Sequence, residues 1–348
     1  MMRNPGKFSI EDQMILSSVF LRDDVNLRSF VETEPFNWSY VLEACLRHRI
    51  ASIVYARMQD SGCLKVIPEP IVRTFRKNYI ANRIHNQYLY NQLKETSVYL
   101  AEQGISFMLI KGAALATLVY EDNGQRPMSD IDIMIREKDR RWYSVIREGL
   151  EKRGIEFRLF FELEVNHHDL TMNGMIPIDI ESIWSRCRSI RIKEMDVLVM
   201  SPEDQILTLV IACCRKGFNH LRFYCDFSRI YYYFGHKIDW EVVVNKARAS
   251  SLEFALYTFL RIVKVLSPDI IPEYVLNDLK LSGTRRRVVE FLINRQILFR
   301  SRPGKIIGCP RPIYRHLLKF AVSNYKIVFK RLNRFLRSSY PIGKRVLS

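Results

Sequence analysis

The stretch Ser129-Asp-Ile-Asp-Ile-Met-Ile135 alternates polar and apolar residues and predicts a β-strand. Side chains two positions apart leave the same face of a strand, so the carboxylates of Asp130 and Asp132 are expected to point the same way. The isoleucines of the stretch face the opposite side and predict a buried core. Two adjacent carboxylates repel each other unless a cation lies between them, and Mg²⁺ or Mn²⁺ takes such oxygen ligands. The alternative is an exposed strand that carries the pair by chance.

A strand, a tight turn and a helix are predicted just upstream of this stretch. Residues 105–110 form a short apolar run, Lys111-Gly112 follows, and helix formers fill 113–116. A glycine at such a turn lets backbone N–H groups approach a phosphate, and a helix N-terminus favours an anion. Lys111 supplies a positive charge, and Arg126 in the next polar loop is a second candidate for a phosphate contact. The alternative is that Lys111-Gly112 only starts a helix.

A second pair of acids lies further along the chain. Ile176-Pro-Ile-Asp-Ile-Glu181 alternates as a strand does, which predicts that Asp179 and Glu181 share one face. Two-metal nucleotidyl transfer uses a further carboxylate on a neighbouring strand, which ligates the second metal and helps to deprotonate the attacking hydroxyl. Asp179 is the first candidate for that role, with Glu181 as a further metal ligand. The alternative is the solvated face of an edge strand.

Several of these stretches together resemble the uncharacterised bacterial nucleotidyltransferase family of the polymerase-beta superfamily. The stretches that carry the resemblance most clearly are 109–116, 126–135 and 178–181, and the likeness covers roughly residues 35–275. The resemblance implies an α+β fold, in which a small mixed β-sheet forms the nucleotidyltransferase core between N- and C-terminal helical regions.

The resemblance also implies roles for individual residues. It assigns metal binding to three carboxylates, Asp130, Asp132 and Asp179, and phosphate contacts to Lys111 and Gly112. The chain departs from the classical pattern at Ala113, where classical members carry serine, and at Glu181, where many relatives carry histidine. The spacing of 18 residues from Gly112 to Asp130 is longer than in the minimal enzymes.

We expect four regions along the chain. They are an N-terminal helical region (1–100), the nucleotidyltransferase core (101–200), a C-terminal helical bundle (201–300) and a basic amphipathic tail (301–348). Ser201-Pro202 predicts the start of a helix, because serine caps helices and proline suits the first helical position. Asp226 lies in an aromatic helix, where a buried acid is expected to pair or to cap.

The positive charge of the protein is concentrated near its C-terminal end. The net charge is +17, and residues 285–348 carry 17 Lys or Arg against the single acid Glu290. Aromatic and aliphatic residues alternate with these cations between 314 and 336. Such a segment suits an anionic membrane surface, a nucleic-acid backbone, or packing against the enzyme with a solvated basic face. The sequence leaves these three partners open.

Composition restricts the class of protein. The chain is 48% hydrophobic and 12% aromatic, which is typical of a globular protein. The first residues carry no apolar segment of a signal peptide, and no apolar run reaches the length of a membrane span. Seven scattered cysteines without zinc-ligand spacing indicate reduced thiols. We therefore expect a cytoplasmic protein, with peripheral attachment to the inner face of the membrane as an option for the tail.

These features together predict a metal-dependent nucleotidyltransferase. It would transfer a nucleoside monophosphate from an NTP such as ATP to an acceptor hydroxyl on a small metabolite, a protein or an RNA, and would release pyrophosphate. One alternative is a toxin-type nucleotidyltransferase, since such proteins share a Lys-Gly start and an Arg-x-x-Ser-Asp-x-Asp run. Another is a non-catalytic adaptor with the same fold, tethered by its basic tail to membrane or nucleic acid.

Overall fold

The computed structural model of the protein describes most of the chain up to residue 279. The described residues are 8–20, 27–32, 35–152, 154, 158–161, 179–192, 194–279, 283, 286, 287 and 290. The basic tail at 301–348 and residues 176–178 of the second acidic stretch lie outside this part. Within it, no helix has both the length and the apolar composition that a membrane crossing requires.

A five-stranded mixed sheet forms the centre of the nucleotidyltransferase core. Its strands are β1 (Phe107–Ile110), β2 (Asp132–Ile135), β3 (Arg158–Phe161), β4 (Arg188–Ile192) and β5 (Met195–Val199), in the spatial order β3-β2-β1-β5-β4. The central strand β1 is antiparallel to β2 and parallel to β5. β3 runs parallel to β2, and β4 forms an antiparallel pair with β5. The predicted α+β fold with a small mixed sheet is confirmed.

The two faces of the sheet are covered by different groups of residues. Ile131, Ile133 and Ile135 are buried on one face, in a core shared with the end of the long helix before β1. Met134 is buried on the other face, against Ile110 and the side chains of a short helix that precedes β4. Since alternate side chains of a strand share a face, Asp132 lies on the same side as Met134. The predicted alternation is therefore confirmed over Asp132–Ile135, whereas Asp130 and Ile131 precede the strand.

Helices precede, separate and follow the strands of the sheet along the chain. Before β1 they are α1 (Ile10–Val19), α2 (Leu27–Val31), α3 (Trp38–Arg47), α4 (Ala51–Asp60) and α5 (Glu69–Glu102). Around the sheet they are α6 (Lys111–Leu118), α7 (Tyr143–Lys152) and α8 (Ile180–Ser185). After β5 they are α9 (Pro202–Arg215), α10 (Leu221–Phe234), α11 (Trp240–Ala249), α12 (Glu253–Leu266) and α13 (Glu273–Asp278). Ser201 caps α9 by accepting a hydrogen bond from the Asp204 N–H, as its sequence predicts.

The helices before and after the sheet share one hydrophobic core. Met14 of α1 and Phe75 of α5 belong to the same buried cluster as Tyr224 of α10 and Phe259 of α12. The rings of Tyr224 and Phe259 stack with centroids 5.1 Å apart. Leu115 of α6 joins this cluster, which connects the turn after β1 to the helical body. The two helical regions therefore share one packed core.

The strand predicted over 176–181 is wrong for its last two residues. Ile180 and Glu181 lie in helix α8, and Asp179 is the N-cap of that helix, accepting a 3.0 Å hydrogen bond from the Ser182 N–H. Aspartate is a favoured N-cap because its side chain satisfies an N–H that has no partner within the helix. Asp179 and Glu181 therefore do not share the face of a strand.

Candidate active site

The turn between β1 and α6 has an unusual backbone. Lys111 lies in the left-handed region with φ of 54°, directly after the extended residue Ile110. A residue other than glycine in this conformation costs on the order of 1 kcal/mol or more, and such residues cluster at functional sites. The chain turns sharply here from strand to helix, and this turn directs the side chain of Lys111 toward β2.

Lys111 forms an ion pair with Asp132, one of the predicted metal carboxylates. Its Nζ lies 3.2 Å from Oδ2 of Asp132, and both side chains are largely buried. The pair follows from the strand register, in which Asp132 lies directly opposite Ile110, the neighbour of Lys111. Asp130 is half-buried and accepts a 3.0 Å hydrogen bond from the Ser129 hydroxyl. The lysine turn and the paired acids are thus brought together.

Both acids open onto a cavity of about 290 Å³ between the sheet and the helical body. From the sheet side, Lys111, Gly112, Arg126, Asp130 and Asp132 line it. From the helical side, the lining residues include Gln205, Thr208, Arg215, Lys216, Arg222 and Asp226. Five of the seven residues predicted for the site therefore meet at one cavity. A concave site with convergent polar groups is the usual form of a ligand site.

Arg126 forms a buried bidentate pair with Asp226. Its Nε and Nη2 each lie 2.8 Å from a carboxylate oxygen of Asp226, which also accepts a 2.7 Å hydrogen bond from the Tyr120 hydroxyl. Burial alone lowers the pKa of Arg126, but the Asp226 carboxylate outweighs burial and the net change raises it. The expectation that Asp226 pairs is confirmed. Most of the donors of Arg126 are used within the protein, so this residue shapes the wall of the cavity.

Gly112 allows that arrangement. Nη1 of Arg126 donates a 3.0 Å hydrogen bond to the carbonyl of Gly112, and a Cβ at position 112 would lie 2.7 Å from the same nitrogen. No side chain fits at that distance without a shift of the guanidinium. The glycine therefore permits close approach of an arginine in this structure, whereas the sequence suggested close approach of a phosphate.

Asp179 and Glu181 are not among the residues that line this cavity. Glu181 pairs with Arg136 at 3.1 Å, and the Arg136 guanidinium lies 4.5 Å from the centre of the Trp184 ring. Over the part of the chain that the structure describes, no cluster of three His, Cys, Asp or Glu forms a metal site. α8 does pack on the sheet face that carries Asp132, through Ile183 and Trp184. The metal roles of Asp179 and Glu181 remain predictions.

Three cations of the cavity were missed by the sequence analysis. Arg215 and Lys216 end α9, and Arg222 lies in the first turn of α10. Basic residues at the end of a helix are common for a local reason, since they offset the helix dipole. Their position opposite the aspartates depends on the packing of helices far apart in sequence, so the local pattern carries no signal of it.

Comparison with known families agrees with this geometry. A family model described as an uncharacterised nucleotidyltransferase matches residues 34–268, which is most of the chain. The chain belongs to this uncharacterised nucleotidyltransferase family. The match to this nucleotidyltransferase family includes the β1–α6 turn, the paired aspartates and the helices α9 and α10 that line the cavity. No curated protein and no solved structure matches the nucleotidyltransferase.

Proposed function

We propose that this nucleotidyltransferase transfers a nucleoside monophosphate from an NTP to an acceptor hydroxyl with the help of Mg²⁺ or Mn²⁺. The acceptor oxygen would form a bond to the α-phosphorus, and the bond from that phosphorus to the bridging oxygen of the β-phosphate would break. The hydroxyl proton would pass to a base, and pyrophosphate would leave. The observation that carries the proposal is the convergence of Asp130, Asp132 and the Lys111-Gly112 turn on one cavity.

The residues of the cavity suit a divalent cation. Carboxylate oxygens are the preferred protein ligands of Mg²⁺, which is commonly held by one or two carboxylates together with substrate phosphates. Asp132 already has a cation beside it, the Lys111 ammonium at 3.2 Å. Asp130 and Asp132 would hold the metal, and Asp179 is the proposed third carboxylate. The metal would supply positive charge for the phosphates of the donor.

Phosphate binding is proposed for the turn that precedes α6. Helix α6 begins at Lys111, so its first backbone N–H groups and its dipole favour an anion there. Lys111 would exchange part of its interaction with Asp132 for the triphosphate once a divalent cation takes the carboxylate. Arg126, held by Asp226, would add positive charge at the edge of the site while keeping the loop before Asp130 in place.

A thermal-shift experiment tests this proposal. The four NTPs would be added with Mg²⁺ or Mn²⁺ to the wild type, to the Asp130→Asn/Asp132→Asn variant, and to Asp269→Asn as an exposed control. Ligand at about 100 times Kd adds about 2.7 kcal/mol to the folded state, and each kcal/mol shifts Tm by about 2–4 °C in a protein of this size. We expect a metal-dependent shift with at least one NTP in the wild type and the control, and none in the double variant. A shift that persists in the double variant would contradict the proposed site.

A further inference from the structure

A strip of cations leads from the cavity to the surface. We use the name cationic strip for Arg49, Arg215, Lys216 and Arg222. Two segments distant in sequence build it, the end of α3 and the turn between α9 and α10. They are joined where the Leu221 N–H donates a 3.3 Å hydrogen bond to Nδ1 of the buried His48. The rings of His48 and His220 lie 6.4 Å apart, edge to face.

The strip is continuous with the proposed active site. Arg215, Lys216 and Arg222 line the cavity opposite the paired aspartates, and Arg49 is exposed at the far end of the strip. Three of its members act together on the neighbouring His220. Burial lowers the pKa of His220 first, and the charges of Arg222, Arg49 and Lys216 lower it further. This part of the surface is therefore strongly positive.

The strip has little compensating negative charge. Among the described residues, Arg49, Lys216 and Arg222 have no ion-pair partner. The charge of Asp226 acts on Arg222, but the two oxygens of Asp226 already bind Arg126 and Tyr120. Nε of Arg222 is buried and donates no hydrogen bond within the same part of the chain. Arg222 is the half-buried member of the strip, and a partly buried cation is unfavourable unless an anion accompanies it.

We propose that the cationic strip binds the phosphate of an acceptor that is itself a phosphate monoester, and thereby directs the acceptor hydroxyl toward Asp130 and Asp132. This inference rests on the proposed nucleotidyl transfer. The donor triphosphate is assigned to the Lys111-Gly112 turn and the metal, on the opposite wall of the cavity. The strip extends to Arg49, which is not among the residues that line the cavity. A second anion therefore fits it better than the donor does.

The size and composition of the strip favour a compact acceptor. A surface that follows single-stranded nucleic acid combines a long basic groove with aromatic side chains for base stacking. Arg222 is instead half-buried at a cavity of about 290 Å³, and the neighbouring Phe223 lies beneath its guanidinium, 5.6 Å from the ring centre. The same charge selects against acceptors that carry amino groups.

Binding of glycerol 3-phosphate to the metal-free protein tests the proposal. Titration calorimetry would use the full chain in EDTA without NTP. Glycerol serves as the uncharged control for glycerol 3-phosphate. We expect binding of glycerol 3-phosphate and none of glycerol. Arg222→Gln and the exposed Arg49→Gln should each weaken binding by about tenfold, since a charge-assisted hydrogen bond contributes about that factor. The exposed Arg83→Gln should bind as the wild type does.

The outcomes separate this proposal from the proposed activity. The basic tail is unchanged in every variant, so a loss confined to Arg49→Gln and Arg222→Gln places the phosphate on the strip. Absence of binding in EDTA, or equal binding by all variants, would overturn the inference. Binding of a single-stranded RNA in place of the probe, with the same dependence on Arg49 and Arg222, would also overturn it. If the strip binds the probe but no NTP gives a metal-dependent thermal shift, the nucleotidyl transfer is wrong and the phosphate site remains.

Discussion

Arg126 and Asp226 are 100 positions apart in the chain, and their side chains form a buried ion pair with two N–O distances of 2.8 Å. Arg126 belongs to the loop just before the paired aspartates, and Asp226 belongs to α10 of the helical body. The pair therefore fixes the position of Asp130 and Asp132 relative to the helices that form the opposite wall of the cavity.

We expect Asp226→Asn to reduce the free energy of unfolding by about 3–5 kcal/mol, because it leaves the Arg126 charge buried without its counter-charge. The exposed pair Arg191–Asp196 provides the matched control, since both its side chains are 62% exposed. Asp196→Asn should cost about 0–1 kcal/mol. Urea unfolding of both variants measures the difference. Equal losses in the two variants would mean that the buried pair does not hold the loop.

Gly112→Ala should destabilise the protein by about 1–3 kcal/mol, the usual cost of forcing an atom into a packed site. The new Cβ would lie 2.7 Å from Nη1 of Arg126, which Asp226 prevents from moving away. A double-mutant cycle with Arg126→Ala isolates the cause. In the background that lacks the guanidinium, the same glycine substitution should cost clearly less. An undiminished cost would place the clash elsewhere.

Lys111→Gly should be more stable than Lys111→Ala by about 1 kcal/mol, because glycine adopts a positive φ without the penalty that alanine meets. Both substitutions remove the ammonium group, so their comparison reports on the backbone alone. Position 117 in the same helix serves as the control. There Thr117→Ala should be more stable than Thr117→Gly by about 0.5–1 kcal/mol. The same preference at both positions would argue against a strained turn.

His48 should make the protein less stable as the pH falls from about 6.5 to 4. Burial chiefly, and the charges of His220 and Arg47, lower the pKa of His48 to about 4 from 6.5. Between these values the unfolded chain binds a proton that the folded protein does not, so acid favours unfolding. His48→Asn keeps an acceptor for the Leu221 N–H and removes the titration.

The measurement is urea unfolding of the wild type and His48→Asn between pH 7 and pH 4. Relative to the variant, the wild type should lose up to about 3 kcal/mol over this range, at about 1.4 kcal/mol per unit of pKa shift. A stability difference between the two proteins that does not change with pH would show that folding leaves the pKa of His48 unchanged.

The sequence was informative wherever local periodicity determines structure. The alternation around Asp130 and Asp132 predicted a strand with one buried face, and the turn at Lys111-Gly112 was predicted by the change from strand formers to helix formers. Residues 180 and 181 were misassigned to a strand because a short alternating run also suits the first turn of a helix. Ile180, Ile183 and Trp184 carry helical spacing, which favoured the observed α8.

The contacts between distant segments could not be predicted in this way. Arg126 was expected to contact phosphate because it precedes the aspartates, yet its bidentate partner Asp226 lies on a helix that only tertiary packing brings near. The cations Arg215, Lys216 and Arg222 reach the site by the same packing. A single sequence carries no information on such pairs, since no local pattern links positions so far apart.

The shared core of the two helical regions has a consequence for synthesis on the ribosome. Met14 and Phe75 pack in one cluster with Tyr224 and Phe259, which are translated much later. At about 5–20 residues per second, the first helices wait on the order of ten seconds for their partners. During that interval their apolar faces are available to chaperones that bind nascent chains. A ribosome that stalls while it translates the strands of the sheet would therefore expose the apolar faces of the N-terminal helices to the quality-control machinery of the cell.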